Sequence, residues 1–584
     1  MRNFIVSVLS IFLLSILLNC GGTKQPGQVK PEEQAQKQEE TKKDNKQNTT
    51  VELAVTEDEA LQKHAQVEAQ PGKISLQSVA EGGAYRETAK SGYIFNSLDA
   101  VRMDVDMPRV EHNTEEYDLI NENTFLTVMS NPLSTFSIDV DAASYANVRR
   151  FLNSGQMPYK DAVRIEEMIN YFTYDYADPK GDQPFSINTE ISQAPWRPEH
   201  RLVHIGLQGK KLDYENIKPS NLVFLIDVSG SMEDTNKLPL LKSAFKILIN
   251  NLNADDKVAI AVYAGNAGLV LPSTKASEKK KIIDALENLQ AGGSTAGGEG
   301  IQLAYKTAKE NLIADGNNRV ILATDGDFNV GVSSTSELIR MIEEKRQDRI
   351  FLTICGFGMG NYKDGRMEGI SNAGNGNYYY IDNILEAKKI FQTEMRATLF
   401  TIAKDVKIQI EFNPEKVQAY RLLGYENRKL KNEDFNDDKK DAGELGAGHT
   451  VTALYEIIPV GVESDFVKQI DDLKYQKMNQ TAKNNSDELM TIKLRYKKPD
   501  EDTSKLITHV LKDKSQELKG TSDNLRFSAA VAQFGMLLRD SEFKGNATYA
   551  NTMELATAAK GKDAEGYRAE FIKLVEKASL LATN

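Results

Sequence analysis

The sequence predicts an α/β protein: a doubly wound, mostly parallel sheet, flanked by an α+β region before it and by a β unit with terminal helices after it. Three observations predict this. Between Pro219 and about Thr398, short apolar runs alternate with amphipathic helical stretches, as a sheet covered by helices on both faces requires. One run, Leu222 to Ile226, is wholly apolar and stops abruptly at Asp227, as a strand buried on both faces should. On either side of this region, in FSINTEISQAPWRPEHRLVHIGLQG and in FTIAKDVKIQIEFNPEKVQAYRLL, apolar positions alternate instead, which suits antiparallel strands with one solvated face.

Length and charge bound the rest. A chain of 584 residues exceeds the roughly 250–300 that one core supports, so several domains are expected. A hydrophobic fraction of 40%, with 22 Phe and 22 Tyr, is enough to build those cores. A net charge of −12 and a pI near 5.3 argue against nucleic acid as a partner.

Residues 1–20 carry one early positive charge at Arg2 and an apolar run from Phe4 to Leu18, shorter than the ~20 residues of a membrane-spanning helix, and so resemble an export signal. The ending Leu17-Leu18-Asn19-Cys20 resembles a bacterial lipobox, which implies that Cys20 becomes the lipid-bearing first residue of an envelope protein. An ordinary secretory signal or an uncleaved anchor is the competing reading. Gly21 lacks the Asp that holds some lipoproteins at the inner membrane, so the exported body is expected on the periplasmic or surface side. Residues 21–114 begin with a stretch rich in Lys, Glu, Gln, Thr and Asn that cannot bury enough apolar surface to offset ordering. Its first fifty or so residues make a tether with a reach of roughly 40 Å.

The flanking region 115–218 contains two expected helices. Val148, Phe151 and Leu152, with Gly155 and Pro158 beyond, signal the first. Val163, Ile165, Met168, Ile169 and Phe172 form one stripe of the second. The region resembles the amino-terminal flank of bacterial lipoproteins that carry a type A domain. Asp139 and Asp141 are similar to the Asp-x-Asp of aspartyl-phosphate phosphatases, but Ala143 departs from that pattern, and capping of the next helix by Asp141 or Ser144 is favoured. His200 and His204 stand four apart, yet the strand-like surroundings favour satisfied histidines over a zinc pair.

Residues 219–398 carry the chemistry. Asp227, Ser229 and Ser231 place a carboxylate and two hydroxyls on the loop after a central strand, where open α/β sheets bind ligands. These are hard oxygen donors, suited to a small cation such as Mg²⁺. Thr295 follows in a Gly-rich loop that opens a helix, and Asp325 follows the apolar strand Val320 to Ala323. The five residues resemble the metal-ion-dependent adhesion site of von Willebrand factor type A (VWA) domains, Asp-x-Ser-x-Ser, then Thr, then Asp in Thr-Asp-Gly, on a Rossmann-like sheet. The resemblance implies that Ser229, Ser231 and sometimes Thr295 bind Mg²⁺ (Mn²⁺ or Ca²⁺ being the other candidates) directly, with Asp227 and Asp325 acting largely through waters. It also implies that the ion accepts an Asp or Glu carboxylate from a protein partner. A nucleotide site is not expected, because GGSTAGGEG has no Lys of the phosphate-loop kind.

Residues 399–584 begin with the β alternation noted above, continued in GHTVTALYEIIPVG and LMTIKLRYKKP. They resemble the carboxy-terminal region of the same bacterial lipoproteins, and similar strands accompany type A domains in inter-alpha-trypsin inhibitor heavy chains. Glu444 and His449 are assigned turn and strand-cap roles. Two helical stripes follow, Phe527, Val531, Phe534, Leu538 and Tyr567, Phe571, Leu574, Ala578, Leu581, expected to pack on the β unit or the sheet domain. Apart from Cys20 the chain has only Cys355, an expected inert core residue.

A lipid-anchored, Mg²⁺-dependent binding protein of the cell envelope is therefore the favoured function, and not an enzyme. The alternatives are a structural envelope scaffold and a metal-assisted hydrolase, for which Asp327 and Glu299 are the nearest candidate bases.

Overall fold

A computed structural model describes residues 114–584 except 139–140, 212–217, 265, 293–296, 327–334, 361, 396–399, 468–485 and 584. Cys20, the signal and the tether up to residue 113 lie outside the described residues, as do Asp139, Thr295 and Asp327.

The first flank contributes β1 (Leu126–Thr127), β2 (Leu133–Ser137), α1 (Ala143–Asn153), α2 (Ile165–Asn170), β3 (Phe185–Ala194) and β4 (Arg197–Gly209). The second helix is shorter than its apolar stripe. Arg164 is extended (φ −97°, ψ 110°), and its N–H goes to the Ser144 hydroxyl at 2.8 Å, so the helix starts only at Ile165.

The sheet domain runs β5 (Ser220–Asp227), α3 (Leu238–Asn251), β6 (Lys257–Ala264), β7 (Asn266–Lys275), α4 (Lys279–Glu287), α5 (Gly297–Glu310), β8 (Asn317–Thr324), α6 (Thr335–Gln347), β9 (Ile350–Phe357), α7 (Asp364–Ala373), β10 (Tyr378–Ile381) and α8 (Ile384–Lys388). Its order is β10-β9-β8-β5-β6-β7, parallel except for the β6–β7 pair. The parallel sheet and its helices agree with the sequence reading. The antiparallel edge strand β7 is an addition, and its Leu269 and Val270 are exposed, so no buried apolar run announces it. Along β5, Leu222, Phe224 and Ile226 enter one core with Phe245 and Phe391, while Val223 and Leu225 enter another with Ile301 and Tyr305. Two-sided burial is why the run is apolar at every position.

The remaining elements are β11 (Thr401–Phe412), β12 (Val417–Leu423), β13 (Gly443–Gly446), β14 (Thr450–Pro459), β15 (Glu488–Lys497), β16 (Lys505–Lys512), α9 (Asp523–Arg539), α10 (Tyr549–Ala558) and α11 (Tyr567–Ala582). The two flanks do not form separate sheets. One sheet runs β1-β12-β14-β4-β3; the other runs β13-β11-β15-β16 with β2 also on β11. Their facing side chains, among them Phe136, Val203, Ile408, Phe412, Tyr455 and Ile492, make a shared core. The stripes of α9 and α11 pack against Tyr145, Val148, Met168 and Phe172 of the amino-terminal flank as well as against Leu202 and Leu454 of the sheet. Neither flank could bury these faces alone.

Asp141 and Ser144 do not cap α1. Asp141 Oδ1 accepts from Tyr378 N at 2.9 Å and its other oxygen lies 3.3 Å from Arg428, tying the flanks to the sheet domain. Ser144 donates to the Ala162 carbonyl instead.

Candidate metal centre

The sheet order reverses direction around β5, whose neighbours are β8 and β6, and a crevice opens where the carboxyl ends of β5 and β8 diverge. Ile226 pairs with Ala323, so Asp227 and Thr324-Asp325 leave the sheet side by side. The loop after Asp227 turns tightly through a short 3₁₀ segment, Gly230–Glu233. This brings the Ser229 and Ser231 hydroxyls to 3.0 Å from each other, with Ser229 buried and Ser231 exposed. Thr295 lies outside the described residues; Gly292, three positions before it, donates to the Val228 carbonyl at 2.8 Å.

Asp227 is fully buried and well held. Its Oδ1 accepts from Ser229 N at 2.9 Å, and its Oδ2 accepts from the hydroxyls of Tyr263 at 3.1 Å and Thr324 at 3.2 Å. Burial pushes its carboxyl up to about 6; hydrogen bonds from Ser229 and Tyr263 oppose the rise and the charge of Asp325 adds to it. Asp325 is the opposite case. It is 1% exposed, and neither carboxylate oxygen accepts a hydrogen bond from the described residues. Its nearest cation is Lys237, whose Nζ lies 3.1 Å from Oδ2, close enough for charge pairing without hydrogen-bond alignment. The same ammonium donates to the Ser231 carbonyl at 3.0 Å. One point in the crevice thus lies about 3 Å from both the Ser231 main chain and the Asp325 carboxylate.

Buried carboxylate oxygens without donors are expensive unless a cation meets them. With two carboxylates and a pair of hydroxyls at one strand-end crevice, the donor set fits a small hard cation. Among the described residues no three His, Cys, Asp or Glu side chains converge as a metal cage, so a cation here depends on the hydroxyls.

Comparison with known proteins identifies the domains along the chain. The profile described as von Willebrand factor type A domain matches residues 221–393, the profile described as von Willebrand factor matches 111–204, and that described as Uncharacterized protein YfbK, C-terminal, matches 397–581. YfbK of Escherichia coli (strain K12) is 44% identical over 474 residues, which cover 80% of this chain and 81% of the relative. The chain belongs to the YfbK family. A match of 474 residues extends well beyond the VWA domain at 221–393 into the flanking chain. A narrower likeness, 30% identity over 148 residues, is to the inter-alpha-trypsin inhibitor heavy chain H2 of Mus musculus, covering 24% of this chain and 16% of that one. Among solved structures, a von Willebrand factor type A protein from Catenulispora acidiphila covers 77% of this YfbK-family chain and 91% of its own at 16% identity, with a TM-score of 0.35.

Other candidates from the sequence have structural roles. His200 is buried, its Nδ1 2.6 Å from Glu456 and its Nε2 3.3 Å from the Ser464 hydroxyl. Arg421 bonds Glu456 at 2.8 Å, and chiefly against the cost of burial it holds that carboxyl below its usual range. The ionised Glu456 accepts the Nδ1 proton of His200. The trio fastens the loop after β14 to the sheet. His204 is buried against the Tyr176 hydroxyl at 2.9 Å and pushed down to about 3 by desolvation, so it is neutral. The two histidines bind different partners and form no pair. Glu444 accepts from Asn375 at 3.3 Å across the junction between flank and sheet domain. Glu299 is exposed, and Cys355 is a fully buried core thiol raised by burial.

The sequence reading did not single out Lys237, Tyr263, Thr324 or Gly358. Lys237 sits six residues past Ser231, immediately before the apolar start of α3, and a lone cation at that point is the signal that could have found it.

Proposed function

We propose that this protein is a lipid-anchored, envelope-located binding protein whose VWA domain holds a divalent cation, Mg²⁺ by preference, and recognises a carboxylate on a partner protein. The observation that carries the proposal is Asp325, a buried carboxylate with no hydrogen-bond donor among the described residues, at the strand end beside the Ser229 and Ser231 hydroxyls. Ser229, Ser231, Asp325 and Thr295 would hold the ion. Asp227, whose oxygens are committed to Ser229, Tyr263 and Thr324, would act from one shell away. When bound, the ion supplies a positive centre with a coordination position open to a partner's Asp or Glu. Tyr263 and Thr324 fix the Asp227 carboxylate, and Asp227 fixes the Ser229 turn, so the donors are set before any ligand arrives.

Among the described residues of this crevice no carboxylate is free to act as a base: Asp227 is held by three donors, and Glu299 is exposed to solvent. Cys20, by its lipobox-like context, would carry the lipid that keeps the body at the membrane; among the described residues no helix is long and apolar enough to cross one.

The test is calorimetric titration of Mg²⁺ and Mn²⁺ into the exported chain and into Asp325→Asn and Ser229→Ala, followed by capture of envelope proteins with and without chelator. Binding lost in both variants, with capture that follows the metal, supports the proposal. Metal binding undiminished by both substitutions, or capture indifferent to chelator, refutes it.

A further inference from the structure

Lys237 is a cation built into the proposed metal site. It stands at the amino-terminal cap of α3 and is buried, with its Nζ 3.0 Å from the Ser231 carbonyl, 3.1 Å from Asp325 Oδ2 and 3.4 Å from the exposed Asp234. Its stem has a made-to-measure channel. A Cβ at Gly358, in the loop after β9, would come within 2.5 Å of Lys237 Cε and 2.7 Å of its Cγ. Gly358 is also at φ +75°, where a side chain is costly. The methylenes are packed in place and deliver the ammonium to the crevice, unlike those of a surface lysine that samples many rotamers.

Charge decides the consequence. Asp227 and Asp325 alone would just neutralise a divalent ion. With the Lys237 ammonium beside Asp325, the buried charges of the metal-free crevice (Asp227, Asp325 and Lys237) sum to a single negative charge, and with a divalent ion to a single positive charge; Asp234 is exposed, and water screens it. A buried unpaired carboxylate is strongly unfavourable, so Asp325 without metal needs Lys237. A second cation within a few ångströms of a metal repels it.

We propose that Lys237 is a resident counter-cation of the metal site: it pairs Asp325 when metal is absent, weakens metal binding, and leaves the loaded site with a net positive charge that favours an anionic group from a partner. This deepens the function proposed above and rests on it. Metal and acidic partner then become thermodynamically coupled, each raising the affinity for the other, because the partner's carboxylate removes the excess charge.

The experiment compares Mn²⁺ binding to the exported chain and to Lys237→Met, which keeps an unbranched stem along Gly358, with Lys237→Gln as a second neutral variant. Circular dichroism of each checks the fold. Binding is read by electron paramagnetic resonance of free Mn²⁺ and, independently, by the metal-induced rise in melting temperature. Both neutral variants are expected to bind Mn²⁺ roughly 10- to 100-fold more tightly than the parent. They are also expected to melt lower in chelator and to gain more on adding Mn²⁺. Acetate, as a carboxylate probe, should tighten Mn²⁺ binding more in the parent than in either variant. Folded variants that bind Mn²⁺ equally or more weakly would overturn the role of Lys237 while leaving the metal site intact. A parent chain that binds no Mn²⁺ would overturn the metal site and this inference together.

Discussion

Arg149 of α1 holds the VWA domain to both flanks, and replacing it with Met should loosen that junction measurably. Its guanidinium is 2% exposed and pairs with Asp382 at 2.5 Å, Glu386 at 2.6 Å and Glu570 at 3.0 Å, while also bonding the Tyr171 hydroxyl at 3.0 Å. Asp382 and Glu386 are themselves 6% and 3% exposed, whereas Glu570 is 35% exposed. Arg149→Met therefore strands two buried carboxylates and one that water can reach. Breaking a buried pair by removing one partner costs about 3–5 kcal/mol, and an exposed pair is worth less than about 1 kcal/mol. The expected loss is thus about 3–5 kcal/mol for Arg149→Met and under about 1 kcal/mol for Glu570→Gln. The chain has one Trp, Trp196, fully buried in the core that the terminal helices share with α1 and α2, so its fluorescence reports on this layer. In urea the Arg149→Met midpoint should fall by roughly 1 M or more, for a slope of ~3 kcal/mol per molar. A midpoint within about 0.3 M of the parent, or an equal loss in Glu570→Gln, would refute the assignment of the junction's strength to the buried pairs.

Other outcomes follow from single groups. Gly358→Ala puts a Cβ 2.5 Å from the Lys237 stem at a positive φ, so the metal-free protein should lose about 1–3 kcal/mol, read by thermal unfolding in chelator. Gly376→Ala would place a Cβ 1.6 Å from the Leu352 carbonyl oxygen, which backbone cannot yield cheaply; a drop of at least about 2 kcal/mol is expected in the same assay. Burial raises Glu166 from 4.5 to about 7, and the charge of Glu426 adds to the rise. The native state then keeps a proton that the unfolded chain has lost, so this residue's contribution is fully present below about pH 4.5 and fades as pH rises to about 7. Glu166→Gln, which cannot ionise, should gain on the parent in urea midpoint between pH 5 and pH 8, and a constant difference across that range would count against the shift.

The residues of the candidate site were legible because their chemistry is local. An apolar run ending at Asp227, with hydroxyls at 229 and 231, states both the strand end and the donors, and Val320 to Asp325 repeats the device. Lys237 was not legible as part of that site. Five residues of turn separate it from Ser231, and its role depends on Gly358, 121 positions further on, leaving room for its stem. Edge strand β7 was missed for a related reason: its exposed Leu269 and Val270 break the burial pattern by which strands are read.

By itself the sequence determined the alternation of strands and helices, the oxygen donors at the ends of two strands, and the apolar stripes of the flanking helices, since each follows from periodicity within a few turns of chain. Only the tertiary structure decided that β2 pairs with β11 and β4 with β14, so that chain lying before the VWA domain and chain lying after it close one core. Which stripe meets which is a matter of long-range pairing, and alternating apolar residues specify a face to be buried without specifying the neighbour that buries it.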